Sequence, residues 1–229
     1  MSKYCINFVG DSLSFTSFSH TYQSVNKAAA SVYGETSIVR KAMRVWPSAD
    51  VIAANYALSG YRLTDLITQA AEVDGLINSD YTAVAGRPER HYILVVLIGS
   101  NVSDANPTTF AASVGSFCLA RQAAGHHVLL GTLPDRGDGV ISNFNSSYSA
   151  PYNAIIKGTG WAAANGVSGI IDFAADAEIG DAGASSNLTY FDSFKIHPNA
   201  AANSTFMGPR TKAAINALIT ALGGTAQLP

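Results

Sequence analysis

Ile93-Leu94-Val95-Val96-Leu97-Ile98 is apolar at every position and gives way at once to Gly99-Ser100-Asn101. Successive side chains on a strand point to opposite faces, so a strand with no polar position is covered on both. Uninterrupted runs of this kind belong to parallel sheets whose faces carry helices; a half-solvated antiparallel strand alternates instead. The stretch predicts an α/β domain with this segment inside the sheet.

The chain on either side repeats the pattern. The central strand extends over Tyr92–Ile98, and others are expected at Tyr4–Val9, Val51–Tyr56, His127–Leu133 and Gly169–Phe173. Helical patterns lie between them. Leu63, Leu66, Ile67, Ala70 and Ala71 follow helical spacing over Leu63–Ile77. Asn106-Pro107 supplies the N-cap and first residue of a helix running to about Ala124 and stopping at Gly125. Pro151 is expected to open another helix, ending near Asn165-Gly166. Lys212–Leu222 is the last, closed by Gly223-Gly224.

Strands alternating with helices predict a three-layer α/β/α sandwich with right-handed crossovers. For a five-stranded parallel sheet the expected order is the flavodoxin-like 2-1-3-4-5. Its ligand crevice lies beyond the carboxyl ends of strands 1 and 3, where the order reverses. Residues 1–223 are expected to form a single domain, with 224–229 a short tail.

Composition narrows the partners. The chain has 229 residues, 48% of them hydrophobic and only 13% charged, with a net charge of −2. Without a basic block, a nucleic-acid or anionic-membrane surface is not expected. No apolar run approaches the roughly 18–20 residues of a membrane span. No signal peptide is visible, although a trimmed exported protein would read the same way, so the compartment stays open. Cys5 and Cys118 lie in apolar surroundings and read as buried thiols, with a disulfide as the alternative. No Cys and His spacing suits a metal, and no Gly-x-Gly-x-x-Gly follows strand 1. No metal or cofactor is expected.

Four short blocks carry chemistry. Strand 1 stops at Gly10-Asp11-Ser12, where Ser12 is a nucleophile awaiting a base, or else Asp11 or Ser12 merely caps a helix. Asn55-Tyr56-Ala57-Leu58-Ser59-Gly60 follows strand 2, and Gly60 can lend an unobstructed backbone N–H to an anion, or simply make a turn. Gly99-Ser100-Asn101 ends strand 3, and the Asn101 carboxamide can donate to a developing oxyanion. The bland alternative, a helix cap, is better filled by Asn106. Asp192-Ser193-Phe194-Lys195-Ile196-His197-Pro198-Asn199 lies after strand 5, and His197 is the best base candidate.

These blocks, in this order, resemble the GDSL/SGNH hydrolase superfamily from Gly10 to the terminal helix. The resemblance implies Ser12 as nucleophile and His197 as base. It implies an oxyanion hole of the Ser12 N–H, the Gly60 N–H and the Asn101 side chain. Thr132-Leu133-Pro134, Tyr152-Asn153 and Asp172 look like family surroundings. Two positions depart from the family pattern. Val102 stands where the third block usually carries Asp, and Phe194 stands where the acid usually precedes the histidine by three. Asp192, five residues before, is the favoured acid; a backbone carbonyl, Asp176 or Asp181 are the alternatives.

The expected function is a serine esterase acting through an acyl-enzyme, with a small or carbohydrate-linked acyl group favoured over long-chain lipid. Tyr61, Tyr190 and Phe191 flank the blocks as candidate substrate-binding residues. His197 must be neutral to act, so activity is expected to rise with pH through the ordinary imidazole range. The rival readings are a glycan-binding module on the same fold and an acyltransferase using the same intermediate.

Overall fold

The computed structural model describes residues 3–13, 51–57, 60–82, 90–102, 106–139 and 144–225. Five strands, β1 (Lys3–Gly10), β2 (Val51–Asn55), β3 (Arg90–Leu97), β4 (His126–Gly131) and β5 (Val167–Ile171), form one sheet in the order β2-β1-β3-β4-β5. Every described pairing is parallel. The α/β expectation with a parallel sheet holds.

Each strand begins or ends one or two residues from its sequence expectation: β1 runs one residue longer at each end, while β2, β3, β4 and β5 stop one or two residues short of theirs. Leu97 pairs with Gly10, and Asp11 N–H still donates to the Leu97 carbonyl at 3.1 Å. Ile93 to Ile98 are all buried. Alternate residues of a strand face opposite ways, so both faces of the sheet are covered.

Among the described residues, four helices of eight residues or more accompany the sheet: α1 (Leu63–Thr82), α2 (Pro107–Ala123), α3 (Ala150–Lys157) and α4 (Gly208–Ala221). Helix α1 packs on β1, α2 on β4 and β5, and α4 on β5. Helix α2 begins as its sequence predicts: Asn106 Oδ1 accepts from Thr108 N–H at 3.0 Å and Thr109 N–H at 3.1 Å.

The helix expected from Pro151 to Asn165 differs. It starts earlier, through the π-helical turn Asn145–Ser149, and breaks after Lys157. Gly158 is extended at ψ 145°, so the chain restarts as a single turn, Trp161–Ala164. The terminal helix also begins before Lys212, after the turns Ala200–Ala202 and Asn203–Met207. Gly224 remains tied to the domain, its N–H donating to the Ile219 carbonyl at 2.9 Å. Residues 226–229 of the expected tail lie outside the described residues, as do Leu58, Ser59 and any helix opened by Ser12 beyond Leu13.

Cys5 and Cys118 are separate buried thiols, which removes the disulfide alternative. Burial pushes the Cys118 thiol up to about 12. Among the described residues no helix is long and apolar enough to cross a membrane.

Candidate active site

Adjacent β1 and β3 carry the first two parts of the site on their carboxyl ends. Gly10 makes the turn possible: at φ +137°, a Cβ there would lie 1.9 Å from the Leu97 carbonyl oxygen. Asp11 is fully buried and joins the two loops. Its Oδ2 accepts from Gly99 N–H at 3.0 Å, Ser100 N–H at 3.0 Å and Ser100 Oγ–H at 2.8 Å. Its Oδ1 accepts from Leu13 N–H at 2.9 Å. Burial raises the Asp11 pKa from its ordinary value, and the bonds from Leu13, Ser100 and Gly99 oppose that rise.

Ser12 Oγ lies 2.8 Å from His197 Nε2, although 185 positions separate them in sequence. His197 Nδ1 lies 2.9 Å from Asp192 Oδ2. An ionised carboxylate only accepts, so with Asp192 charged and His197 neutral the ring proton sits on Nδ1. That leaves the Nε2 lone pair facing the serine hydroxyl.

A small hairpin lets Asp192 reach the ring from five residues away. Phe191 bridges Pro198 in antiparallel fashion. Asp192 N–H donates to the His197 carbonyl at 2.9 Å, and Asn199 N–H to the Tyr190 carbonyl at 2.7 Å. Asp192 and His197 therefore stand across a two-stranded neck, and Ser193 to Ile196 form the loop beyond it. Lys195 N–H donates to the Asp192 carbonyl at 3.0 Å, closing a tight turn. Ile196 N–H donates to Asp192 Oδ1 at 3.1 Å, which orients the carboxylate. Lys195 adopts φ +60°, unusual for a long side chain and a mark of local strain.

Asn199 anchors the hairpin from below. Its Oδ1 caps the following turn by accepting from Ala201 and Ala202 N–H, at 2.9 and 3.3 Å. Its Nδ2 donates to the carbonyls of Thr189 at 3.0 Å and Phe191 at 3.1 Å.

The structure also joins the remaining block, the one that ends in Gly60. Asn101 Nδ2 donates to the Tyr61 carbonyl at 3.3 Å, bringing the carboxamide beside the Gly60-Tyr61 turn. Ser12, Asp11, Ser100, Asn101 and Tyr61 thus form one connected line of residues.

The aromatic candidates fare differently. Phe191 is 1% exposed and belongs to the core. Its burial leaves it no surface to offer a substrate. Tyr190 packs edge-on against Phe206 at 5.0 Å. Half-buried Tyr61 donates its hydroxyl to Gln69 Oε1. Phe194 is the outward aromatic of this hairpin, at 73% exposed. Of the alternative acids, Asp176 pairs with Arg210, and the Asp181 backbone carbonyl accepts from Ala184 N–H at 3.0 Å.

No family model and no curated protein sequence matches the chain. Solved structures do. The esterase EstA from Pseudoalteromonas sp. superposes with a TM-score of 0.60 at 13% identity, covering 94% of this chain and 98% of that one. The acetylxylan esterase Axe2 from Geobacillus stearothermophilus gives 0.55 at 15% identity, covering 98% and 96%. A protein from Parabacteroides merdae described as a GDSL-like lipase gives 0.55 at 13%, covering 92% and 96%.

The chain shares its fold with these esterases and with the GDSL-like lipase.

Within the GDSL/SGNH fold, the two departures read differently. Val102 packs against the core, so the position usually held by an acid is filled by apolar contact. The displaced Asp192 sits within hydrogen-bond distance of the ring through the hairpin. Sequence reasoning missed two supports. Asp11 reads from sequence only as a possible cap, yet it clamps the β3 loop. Asn153 reads as background, yet its Nδ2 and Oδ1 bond the Leu133 carbonyl and N–H at 2.9 and 2.8 Å, fixing the end of β4. Among the described residues no group of three or more His, Cys, Asp or Glu is arranged to hold a metal ion.

Proposed function

We propose that the chain is a serine esterase. The observation that carries the reading is the line from Ser12 Oγ to His197 Nε2 at 2.8 Å and from His197 Nδ1 to Asp192 Oδ2 at 2.9 Å. A nucleophile, a base and an orienting acid in that sequence form the generalised triad.

Ser12 Oγ attacks the ester carbonyl carbon as its proton passes to His197 Nε2. The carbonyl electron pair moves onto oxygen, where the Ser12 N–H, the Gly60 N–H and the Asn101 amide receive the charge. Asn101 uses one amide proton on Tyr61 and has a second to offer. The intermediate collapses, the bond to the alcohol breaks, and the imidazolium protonates the leaving oxygen. Water then gives its proton to His197 and attacks the acyl carbon. Ser12 Oγ leaves with its proton restored, and the carboxylic acid departs.

A short acyl group, including the acetyl of a carbohydrate, is the favoured substrate. The low charge of the chain supports this choice. So does the fold likeness to Axe2, which is named an acetylxylan esterase. The glycan-binding alternative draws on the displaced acid and on Val102; the 2.9 Å between Asp192 Oδ2 and His197 Nδ1 speaks against the first of these.

The test is turnover of p-nitrophenyl acetate, xylose tetraacetate and p-nitrophenyl palmitate, with Ser12→Ala as control. The acetates are turned over, the palmitate at least about tenfold more slowly, and Ser12→Ala loses at least about 10³-fold in kcat. Equal rates in Ser12→Ala overturn the reading.

A further inference from the structure

Three consecutive residues after β4 each hold a different loop. Asp135 N–H donates to the Ile179 carbonyl at 2.8 Å, and Asp135 Oδ2 accepts from Ser185 N–H at 3.0 Å and Ser185 Oγ–H at 2.7 Å. Arg136 Nη1–H donates to the Ser100 carbonyl, while Nε and Nη2 donate to Asp138 at 2.8 and 2.5 Å. Gly137 N–H donates to the Lys195 carbonyl at 2.9 Å. A Cβ on Gly137 would lie 2.4 Å from Ser185 Oγ, so a larger residue would press on the hydroxyl that bonds Asp135.

Ser100 is therefore gripped from both ends. Asp11 holds its N–H and hydroxyl, and Arg136 holds its carbonyl. That carbonyl belongs to the peptide joining Ser100 to Asn101, so Arg136 sets the plane from which the Asn101 side chain departs. On the other side, Gly137 holds strained Lys195 in the hairpin of Asp192 and His197. The segment 135–137, in the loop after β4, thus spans the two halves of the site.

We infer that Arg136 is a positioning residue for ester hydrolysis. It fixes the Ser100-Asn101 peptide so that the Asn101 amide meets the oxyanion, and its neighbour Gly137 braces that loop against the His197 hairpin. This rests on the serine-esterase reading. A planar guanidinium is needed because one group must satisfy the Ser100 carbonyl and the Asp138 carboxylate together; an ammonium is a single point charge. The Arg136 side chain is 9% exposed, so it acts through the peptide and does not need contact with substrate.

The test is a double-mutant cycle between Arg136→Met and Asn101→Ala on p-nitrophenyl acetate. Arg136→Met lowers kcat about 10- to 100-fold with KM within about twofold, the size expected of a displaced catalytic group. In the Asn101→Ala background the same change costs less than about twofold, because the group being aimed is gone. Arg136→Lys falls between, and it carries the cycle if Arg136→Met does not fold. Unchanged kcat, or effects that multiply in full, overturn the proposal. Hydrogen exchange gives a readout without turnover: amides of residues 99–101 exchange faster in the Arg136 variant, while the Asp192 amide keeps its protection. Unaltered exchange at 99–101 overturns the brace whatever the activity, whereas an inert wild type overturns the esterase reading itself.

Discussion

Asp192 and His197 face each other across the neck of a hairpin, held by a backbone bond of 2.9 Å and a side-chain bond of 2.9 Å. The backbone bond sets the distance, and the carboxylate uses it to fix the imidazole tautomer. Asp192→Asn keeps the shape but offers an amide that can donate to Nδ1, favouring the wrong tautomer. The expected result is a loss in kcat of about 10³- to 10⁴-fold with little change in thermal midpoint. A rate within about tenfold of wild type would assign the orienting role to another group.

Asp11 supplies a pH signature. Burial raises its folded-state pKa above 3.8, so between 3.8 and that raised value the folded chain binds more protons than the unfolded chain. Its contribution to stability is fully present at the acid end of that window and declines as pH rises through the folded value. Asp11→Asn has no such titration. It also turns an amide N–H toward the donors that Asp11 accepts from, costing about 1–3 kcal/mol. Urea midpoints of the two proteins from pH 4 to 7 are expected to differ most at the acid end. A difference that grows with rising pH contradicts the assignment.

The opposite sign is expected at the other end of the sheet. His126 is held below its ordinary value of 6.5 chiefly by burial, against the pull of Asp74 and with a smaller push from Arg121. His127 is lowered by burial, then by His91 and His126. The ring of His91 lies 5.5 Å from both Tyr4 and His127, while His126 stands edge-on to Tyr92 at 6.0 Å. The unfolded chain binds more protons just below pH 6.5, so stability is present above that value and is lost as pH falls through the folded values. His126→Gln combined with His127→Gln is expected to flatten the decline in urea midpoint between pH 7.5 and 5. An equally steep decline in the double variant contradicts it.

The sheet was legible because burial on two faces leaves a plain mark, as Ile93 to Ile98 show. The candidate site was legible where residue type is unusual: Gly10 at a close backbone approach where β1 ends, and His197 beside a proline. The break after Lys157 was not, because Gly158 and Gly160 lie within a sequence whose apolar spacing continues through Trp161. Asp192 was legible only as the nearest acid. Its reach depends on the Phe191 to Pro198 bridge and on Lys195 in a left-handed conformation, which is unusual for lysine and leaves no mark in side-chain type. Arg136 and Asp11 were obscured for a related reason. Their partners are backbone groups of a loop brought near by strand order, and backbone groups carry no sequence signal.

The central claim is that Ser12 is a nucleophile activated by His197. Treatment with a p-nitrophenyl alkylphosphonate, followed by intact-mass analysis and peptide mapping, tests it most directly. The prediction is one phosphonyl adduct per chain, mapped to Ser12, with ester turnover lost in step and no adduct in Ser12→Ala. A wild-type chain that forms no adduct, or a Ser12→Ala chain that is labelled and inactivated to the same extent, would contradict it.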